Sequence, residues 1–322
     1  MTGRLRWPLL AATIVGLVAA LCAVGRADWH QVVQGILSVG IPAFAGLCLL
    51  SAATFLLLGA SWLVPARGIG ANWLGRFAWG RATREAANDL LPFSQLGGIV
   101  LGVRTVVAAG APSVPVYAAL IVDLSTEMAA QLVFTLFALM SFSGAIAGSG
   151  ERLDLLLWGG LGVATALALC FFMFQRAALR LAAVMMRRML PDLGRLADAV
   201  ALELQRAYAR PGRVAASFGL NLLAWAATAF WSWLALRAMG ARPALGHAAA
   251  LESAIFALRS AAFLIPGAIG VQEAGYALLA PLVGIDPAAA LALSLLKRAR
   301  DVTVGVPVLL AWQAGEVRLA RA

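Results

Sequence analysis

The sequence predicts an all-α, polytopic membrane protein, and three observations support this fold class. Apolar residues make up 62% of the 322 residues and charged residues only 12%, and the mean hydropathy is +0.88. An ordinary soluble domain is about half apolar and a quarter charged. The apolar residues fall in runs of about 20, the length that a helix needs to cross a bilayer. Arginines lie at the ends of several runs, as the residues that orient membrane helices do.

We expect six full spans and two re-entrant helical hairpins in one transmembrane domain over residues 1–322. Arg4 and Arg6 precede the first span, and Arg318 and Arg321 follow the last, so the positive-inside rule predicts that both termini are cytoplasmic. The spans are expected at residues 7–25, 36–64, 114–142, 153–175, 214–238 and 287–312. The arginines after the second span, Arg67, Arg76, Arg81 and Arg84, are expected on the cytoplasmic side.

The first hairpin is expected within residues 88–110, which are apolar but interrupted by polar and helix-breaking residues. This stretch crosses the membrane once or enters and returns. A single crossing would place the eight arginines of residues 176–213 outside, so the re-entrant alternative is favoured. The second hairpin is expected within residues 244–284. The residues expected to shape the two hairpins are Pro92, Gly97, Pro266, Gly267 and Gly270.

The basic segment 176–213 has two interpretations. It is either a solvated connector on the inner face or an amphipathic helix that lies on anionic lipids of the inner leaflet.

Residues 36–142 and 214–312 resemble each other as span, hairpin, span, with opposite predicted orientations. Glu85 and Arg259 each precede the hairpin proline, Pro92 or Pro266, by seven residues. Inverted repeats with interrupted helices are characteristic of transporters that alternate access between the two sides.

Ionisable residues inside the predicted membrane region are candidates for a substrate site, because charges there are costly unless paired or hydrated. Asp123 and Glu127 share one helix face, and Lys297 and Arg298 share a face with Asp301. We expect the acidic face of one repeat to meet the basic face of the other. The alternative is that these charges only hold the helices together. The candidate substrate-binding residues are Arg104, Asp123, Glu127, Arg259, Glu273, Lys297, Arg298 and Asp301.

The sequence argues against several other classes of function. His30 and His247 are far apart, and no metal-ligand spacing, nucleophile elbow or phosphate-binding lysine motif occurs. We therefore expect no catalytic residue, metal or cofactor. The net charge of +10 is explained by orienting arginines, so nucleic acid is not an expected partner.

The stretch I-P-G-A-I-G-V-Q-E-A-G-Y, with S-L-L-K-R-A-R-D some twenty residues on, resembles the flippase-like family also known as the transmembrane region of lysylphosphatidylglycerol synthases. The family pattern places Pro266, Gly267, Gly270, Glu273 and Arg298 at its characteristic positions. In the first hairpin, by contrast, Ser94 and Gly98 stand where the family usually has a basic residue and a glutamate. The ending V-P-V-L-L-A-W-Q is similar to the subgroup associated with hopanoid biosynthesis.

This resemblance implies a lipid transporter of the bacterial inner membrane, acting on a hopanoid or a phospholipid. No soluble catalytic domain is expected after residue 312, so aminoacyl transfer is not expected. Two alternatives are an accessory scaffold for lipid-synthesis enzymes and a membrane-embedded transferase on a lipid carrier. The oligomeric state is not predicted.

Overall fold

The computed structural model describes residues 29–91, 94–146, 191–261, 268 and 270–321, and within them every regular element is helical. The expected spans at 7–25 and 153–175 lie outside these residues, as do Pro92, Pro266 and Gly267. The helices are α1 (Trp29–Leu63), α2 (Leu74–Leu90), α3 (Ser94–Ala108), α4 (Ser113–Ile146), α5 (Pro191–Tyr208), α6 (Pro211–Ala238), α7 (Leu245–Ala261), α8 (Val271–Leu279) and α9 (Pro287–Arg321). Short 3-10 helices at Ala71–Trp73 and Ala280–Val283 connect some of them.

Three of the described helices, α1, α4 and α6, are long and apolar enough to cross a membrane. The 28 residues of α6, the shortest of the three, rise about 42 Å, more than the hydrocarbon thickness of a bilayer. Leu37, Ile41 and Leu49 of α1 are 73%, 85% and 71% exposed, which suits a surface that faces lipid. The all-helical expectation is confirmed; six spans and re-entrant hairpins remain predictions.

The α1 helix is interrupted about a third of the way along its length. Gly40 has φ 67° and ψ 161°, outside the helical region, and Pro42 follows within the same helix. Proline removes a backbone donor and crowds the preceding turn, which explains a kink at this point.

The packing of helices α1–α4 has a counterpart in α6–α9. In each half, two shorter helices form a pair, α2 with α3 and α7 with α8. If α1–α4 correspond in order to α6–α9, then the contact of α4 with α7 has its counterpart in the contact of α9 with α2. The contact of α1 with α9 likewise has its counterpart in that of α6 with α4, and α1 packs directly against its own counterpart, α6. Two repeats related by a twofold axis would produce these reciprocal contacts.

Two buried tryptophans connect the long helices. Trp62 of α1 donates its indole N–H to the carbonyl of Val116 in α4 at 3.2 Å, and Trp231 of α6 donates to the carbonyl of Leu47 in α1 at 2.8 Å. Both side chains are almost completely buried. Because a buried indole N–H needs an acceptor, these bonds fix the relative position of the helices as well as filling the core.

From residue 191 onward, the basic segment is a helix that packs on the bundle. Val200, Leu204 and Ala207 of α5 contact Ala118 and Val122 of α4. This apolar contact distinguishes the described part of the segment from a freely solvated connector. Contact with anionic lipid remains a prediction.

Close backbone contact between α1 and α2 depends on Gly59. A Cβ at this position would lie 2.5 Å from Cα of Ala78, whereas a Cβ at Gly46 of the same helix would have nothing within 4 Å. We expect Gly59→Ala to lower the unfolding free energy by about 1–3 kcal/mol, because the two backbones must separate. Thermal unfolding of the detergent-solubilised protein measures the effect.

Gly46→Ala is the matched control, with the same change in intrinsic helix propensity but no steric contact. Equal thermal unfolding midpoints for the two variants would contradict the importance of the close backbone contact between α1 and α2 at Gly59.

Candidate functional site

A cavity of about 160 Å³ lies among helices α1, α2, α4, α6, α7 and α9. Its walls differ in character. Large apolar and aromatic side chains form one part of the lining: Phe55, Leu58, Trp225, Trp231, Phe256, Val304 and Val308. Ionisable side chains form another part: Arg81, Glu85, Asp89, Glu127, Arg259, Lys297, Arg300 and Asp301. Four of these carry positive charge and four carry negative charge when ionised, so the lining is balanced overall.

Arg81 of α2 is the centre of the first group of ion pairs. Its guanidinium donates to Asp123 Oδ2 at 2.8 Å and to Glu127 Oε1 at 2.5 Å, both on α4. Its Nε also lies 3.0 Å from Glu85 Oε1, one helical turn away. Arg84 supports the same pair by donating to Glu127 Oε2 at 3.1 Å.

Asp123 is completely buried and needs more than one donor. Ser61 of α1 donates to its Oδ1 at 2.6 Å, and Asn221 of α6 donates to the same oxygen at 3.1 Å. Ser217 of α6 extends the network by donating to the carbonyl of Ser61 at 2.9 Å. One carboxylate therefore joins α1, α2, α4 and α6.

Glu252 of α7 is the centre of a second buried group. Its two oxygens receive hydrogen bonds from the hydroxyl of Tyr276 on α8 and from the ammonium of Lys297 on α9. Lys297 is the only lysine of the chain, and its Nζ lies 5.9 Å from the ring centres of Trp231, Phe256 and Tyr276. Aromatic faces attract cations, so this setting stabilises the ammonium in addition to the carboxylate.

A third group connects the two halves at the cavity. Arg259 of α7 donates to Asp89 of α2 at 3.0 Å, and on α9 the Nε of Arg300 donates to Asp301 Oδ1 at 2.9 Å. Arg300 also lies over Trp231, at 5.3 Å from the ring centre. The second oxygen of Asp301, Oδ2, is buried without a hydrogen-bond partner among the described residues. An unsatisfied buried carboxylate oxygen is costly and attracts a donor.

Glu273 and Arg298 form a separate pair outside the cavity lining. Arg298 Nε donates to Glu273 Oε1 at 3.3 Å, while Glu273 Oε2 accepts the backbone N–H of Gly270 at 2.7 Å. Gly270 has φ 86°, a conformation that favours glycine, and it begins helix α8. The structure thus places Glu273 at the cap of α8, where Arg298 and Ser294 contact it.

Arg104 also lies away from the cavity lining. Its Nε donates to Glu316 Oε2 at 2.9 Å, and 63% of its side chain is exposed. Gly97 lies on the same helix, α3, with nothing within 4 Å of a Cβ built there.

Of the eight residues proposed from the sequence, Glu127, Arg259, Lys297 and Asp301 line the cavity, and Asp123 lies directly behind it.

The expected pairing between the repeats is wrong. Asp123 and Glu127 do not meet the basic face of Lys297 and Arg298; they contact Arg81 and Arg84 of the neighbouring helix α2. Arg81 also has a structural role that an orienting arginine does not require, because its side chain is 1% exposed. A buried arginine is stabilised by carboxylates, and two of them are available on the facing turn of α4.

Sequence reasoning missed several residues of the site. Arg81 and Arg84 follow a predicted span, as orienting arginines do, but Glu85 and Asp89 lie on the same helix and form a mixed-charge face with Arg81. Glu252 precedes Arg259 by seven residues, or two helical turns, which is a detectable signal for a shared face. Tyr276 ends the stretch that resembles the family, but the sequence assigns it no role.

We expect Arg81→Ala to destabilise the fold strongly, by about 3–5 kcal/mol, because it leaves Asp123 buried and unpaired. Arg76→Ala is the matched control on the same helix, since Arg76 is exposed and rests on the ring of Trp73 at 4.3 Å. Thermal unfolding and the yield of monodisperse protein measure the difference. Similar losses in both variants would contradict a central role for Arg81.

Comparison with known proteins identifies the family. Neither the search of curated proteins nor the search of solved structures returned a match. A family model described as "Lysylphosphatidylglycerol synthase TM region" matches residues 9–310, which is nearly the whole chain. This match confirms the family resemblance seen in the sequence at residues 265–301 and agrees with the membrane-length helices. The protein is therefore an integral membrane protein of the lysylphosphatidylglycerol synthase transmembrane-region family.

Proposed function

We propose that this protein binds the polar headgroup of an amphipathic lipid in the charged cavity and assists the lipid's movement across the membrane. The observation that carries the proposal is the combination of balanced charges and aromatic side chains in one cavity among membrane-length helices. The family's relation to lipid handling supports the same conclusion. Transport rather than catalysis is proposed.

The cavity suits a headgroup that carries hydrogen-bond donors. Asp301 Oδ2 has no donor within the described part of the chain, and Asp301 lines the cavity. A ligand hydroxyl or ammonium would satisfy this oxygen. Arg259 and Arg300, whose side chains are 25% and 20% exposed, are placed to contact an acceptor such as a phosphate. Trp225 and Phe256 would contact the apolar part of the same lipid.

A polar path lowers the main barrier to lipid movement. A headgroup loses its hydrogen bonds to water when it enters hydrocarbon, which costs several kcal/mol for each unsatisfied polar group. Side chains that replace those bonds recover much of this cost. The reciprocal packing of the two halves supports an inverted repeat with alternating access around the cavity.

Several finer assignments belong to this proposal. We propose that the lipid is a hopanoid or a phospholipid, that the protein lies in the bacterial inner membrane, and that both of its termini are cytoplasmic. Glu273 and Arg298 are assigned a positioning role at the α8 cap, because Glu273 accepts from Gly270, Arg298 donates to Glu273, and neither lines the cavity.

The alternative function is an accessory scaffold for lipid-synthesis enzymes. One observation favours it: most ionisable groups of the cavity are already in ion pairs within the protein, as internal contacts in a rigid scaffold would be. Movement of lipid by the purified protein alone distinguishes the two functions.

We expect Asp301→Asn to slow lipid movement about tenfold or more. The change keeps the side-chain shape but removes a charged acceptor, and a hydrogen bond to a charged group contributes about 1.5–3 kcal/mol. The measurement is the rate at which a labelled lipid changes leaflet in liposomes containing the purified protein.

Glu316→Gln is the matched control, because Glu316 pairs with Arg104 outside the cavity lining. Folding of both variants is checked by thermal unfolding. Equal slowing in both, or no slowing in a folded Asp301→Asn protein, would contradict the assignment of the site.

The bound lipid is expected to be detectable directly. Native mass spectrometry and lipid extraction of gently purified wild-type protein should show one enriched lipid class, which is lost in Asp301→Asn and kept in Glu316→Gln. Mixed bulk lipid in all three proteins would instead favour the scaffold function.

A further inference from the structure

We propose that Lys297, Glu252 and Tyr276 form a proton-binding site that couples lipid movement to a proton gradient. The inference rests on the proposed function and deepens it by naming the driving ion. The proton is carried on Lys297 Nζ, which releases it to the cavity when a headgroup binds and takes one back after the headgroup leaves.

The three side chains form a closed hydrogen-bonded chain. Tyr276 is fully buried, Glu252 is 2% exposed and Lys297 is 6% exposed. Tyr276 donates to one oxygen of Glu252 and Lys297 donates to the other. Of these three side chains, only Lys297 lines the cavity, so Lys297 is the one that can exchange a proton with water there.

The residue type at position 297 is informative. Every other cationic side chain of the cavity lining is an arginine, and Lys297 is the only lysine in the whole chain. A guanidinium keeps its proton in proteins, whereas a buried amine can lose one. An arginine would serve equally well if position 297 only had to neutralise Glu252 or hold an anion.

The charges around Lys297 link its proton to the ligand. Arg300 lies on the same ring of Trp231 as Lys297, and Asp301 neutralises Arg300 through its Oδ1. A headgroup donor that binds Asp301 would weaken this neutralisation. Because the positive charge of Arg300 is then less neutralised, it repels the ammonium of Lys297 more strongly, and Lys297 releases its proton.

Other ionisable groups around the cavity contribute to the same balance. On the described residues, α1 and α6 place no ionisable side chain in the lining. The remaining groups are Arg81, Glu85 and Asp89 on α2, Asp123 and Glu127 on α4, Arg259 on α7, Glu273 on α8 and Arg298 on α9. Most of these are held in ion pairs with each other, whereas Glu252 and Arg300 are the charges next to Lys297.

The exchange is balanced in protons, and an ammonium headgroup also replaces the positive charge that Lys297 loses. With the cavity empty, Lys297 is an ammonium and Glu252 a carboxylate. With a donor headgroup bound, Lys297 is an amine, one proton has passed to the cavity water, and Glu252 still accepts from Tyr276. Reopening to the other side releases the headgroup and returns one proton to Lys297.

The test uses liposomes containing the full-length protein, a labelled phospholipid and an imposed pH gradient. For one proton per lipid, we expect a gradient of one pH unit to shift the steady-state ratio of lipid between leaflets about tenfold. Lys297→Arg keeps the positive charge, but the guanidinium does not release its proton. Lipid that this variant still moves should therefore reach the same ratio between leaflets with and without the pH gradient.

Proton release on binding is the second measurement and does not depend on transport. Addition of short-chain phospholipid to the detergent-solubilised wild type in weak buffer should release about one proton per bound lipid, since one group titrates. Lys297→Arg should bind lipid with no release, and Glu316→Gln, which changes a carboxylate outside the cavity lining, should keep the release.

The outcomes separate the two proposals. Lipid movement by the wild type without a response to the gradient and without proton release would overturn the proton site while leaving the proposed function intact. Unchanged proton release from Lys297→Arg would also overturn it. Absence of lipid movement by the wild type under all conditions would contradict the proposed function itself.

Discussion

The burial of Asp123 is the constraint on which much of the structure depends. Its carboxylate has no access to solvent, so it must receive hydrogen bonds from within the protein. Arg81, Ser61 and Asn221 supply them from three different helices. The positions of α1, α2 and α6 around α4 follow from this requirement, because moving any one of them would leave a buried charge or a buried donor without a partner.

The ionisable side chains near the cavity differ in how many hydrogen-bond and ion-pair partners they have. This difference distinguishes residues that stabilise the fold from residues that we propose to bind the ligand. Arg81 and Asp123 are enclosed and have several partners each. Asp301 keeps a free oxygen in the described structure, and Arg259 and Arg300 are partly accessible. Enclosed pairs hold the helices together, while accessible and incompletely paired groups can exchange partners with a ligand at a smaller cost.

Sequence reasoning located several site residues because burial of a charge is visible in a sequence. Asp123, Glu127, Lys297 and Asp301 stand within apolar runs, and the structure places all four in or next to the cavity. Their partners were harder to predict, since Arg81 and Arg84 lie in a less apolar stretch that also suits a cytoplasmic loop. The pairing of Glu252 with Lys297 joins residues on different helices, and helical spacing carries no information about which helices meet.

The all-helical membrane class and the family were determined by the sequence alone, because both depend on local properties. Hydrophobic length decides whether a helix suits a membrane, and the motif at Gly270 and Glu273 is continuous in the chain. Only the tertiary structure decided which charges pair, that Glu273 and Arg104 lie outside the cavity lining, and that Lys297 faces Glu252 among aromatic rings. The physical reason is that an ion pair requires contact within about 4 Å, and such contacts arise from the packing of helices distant in sequence.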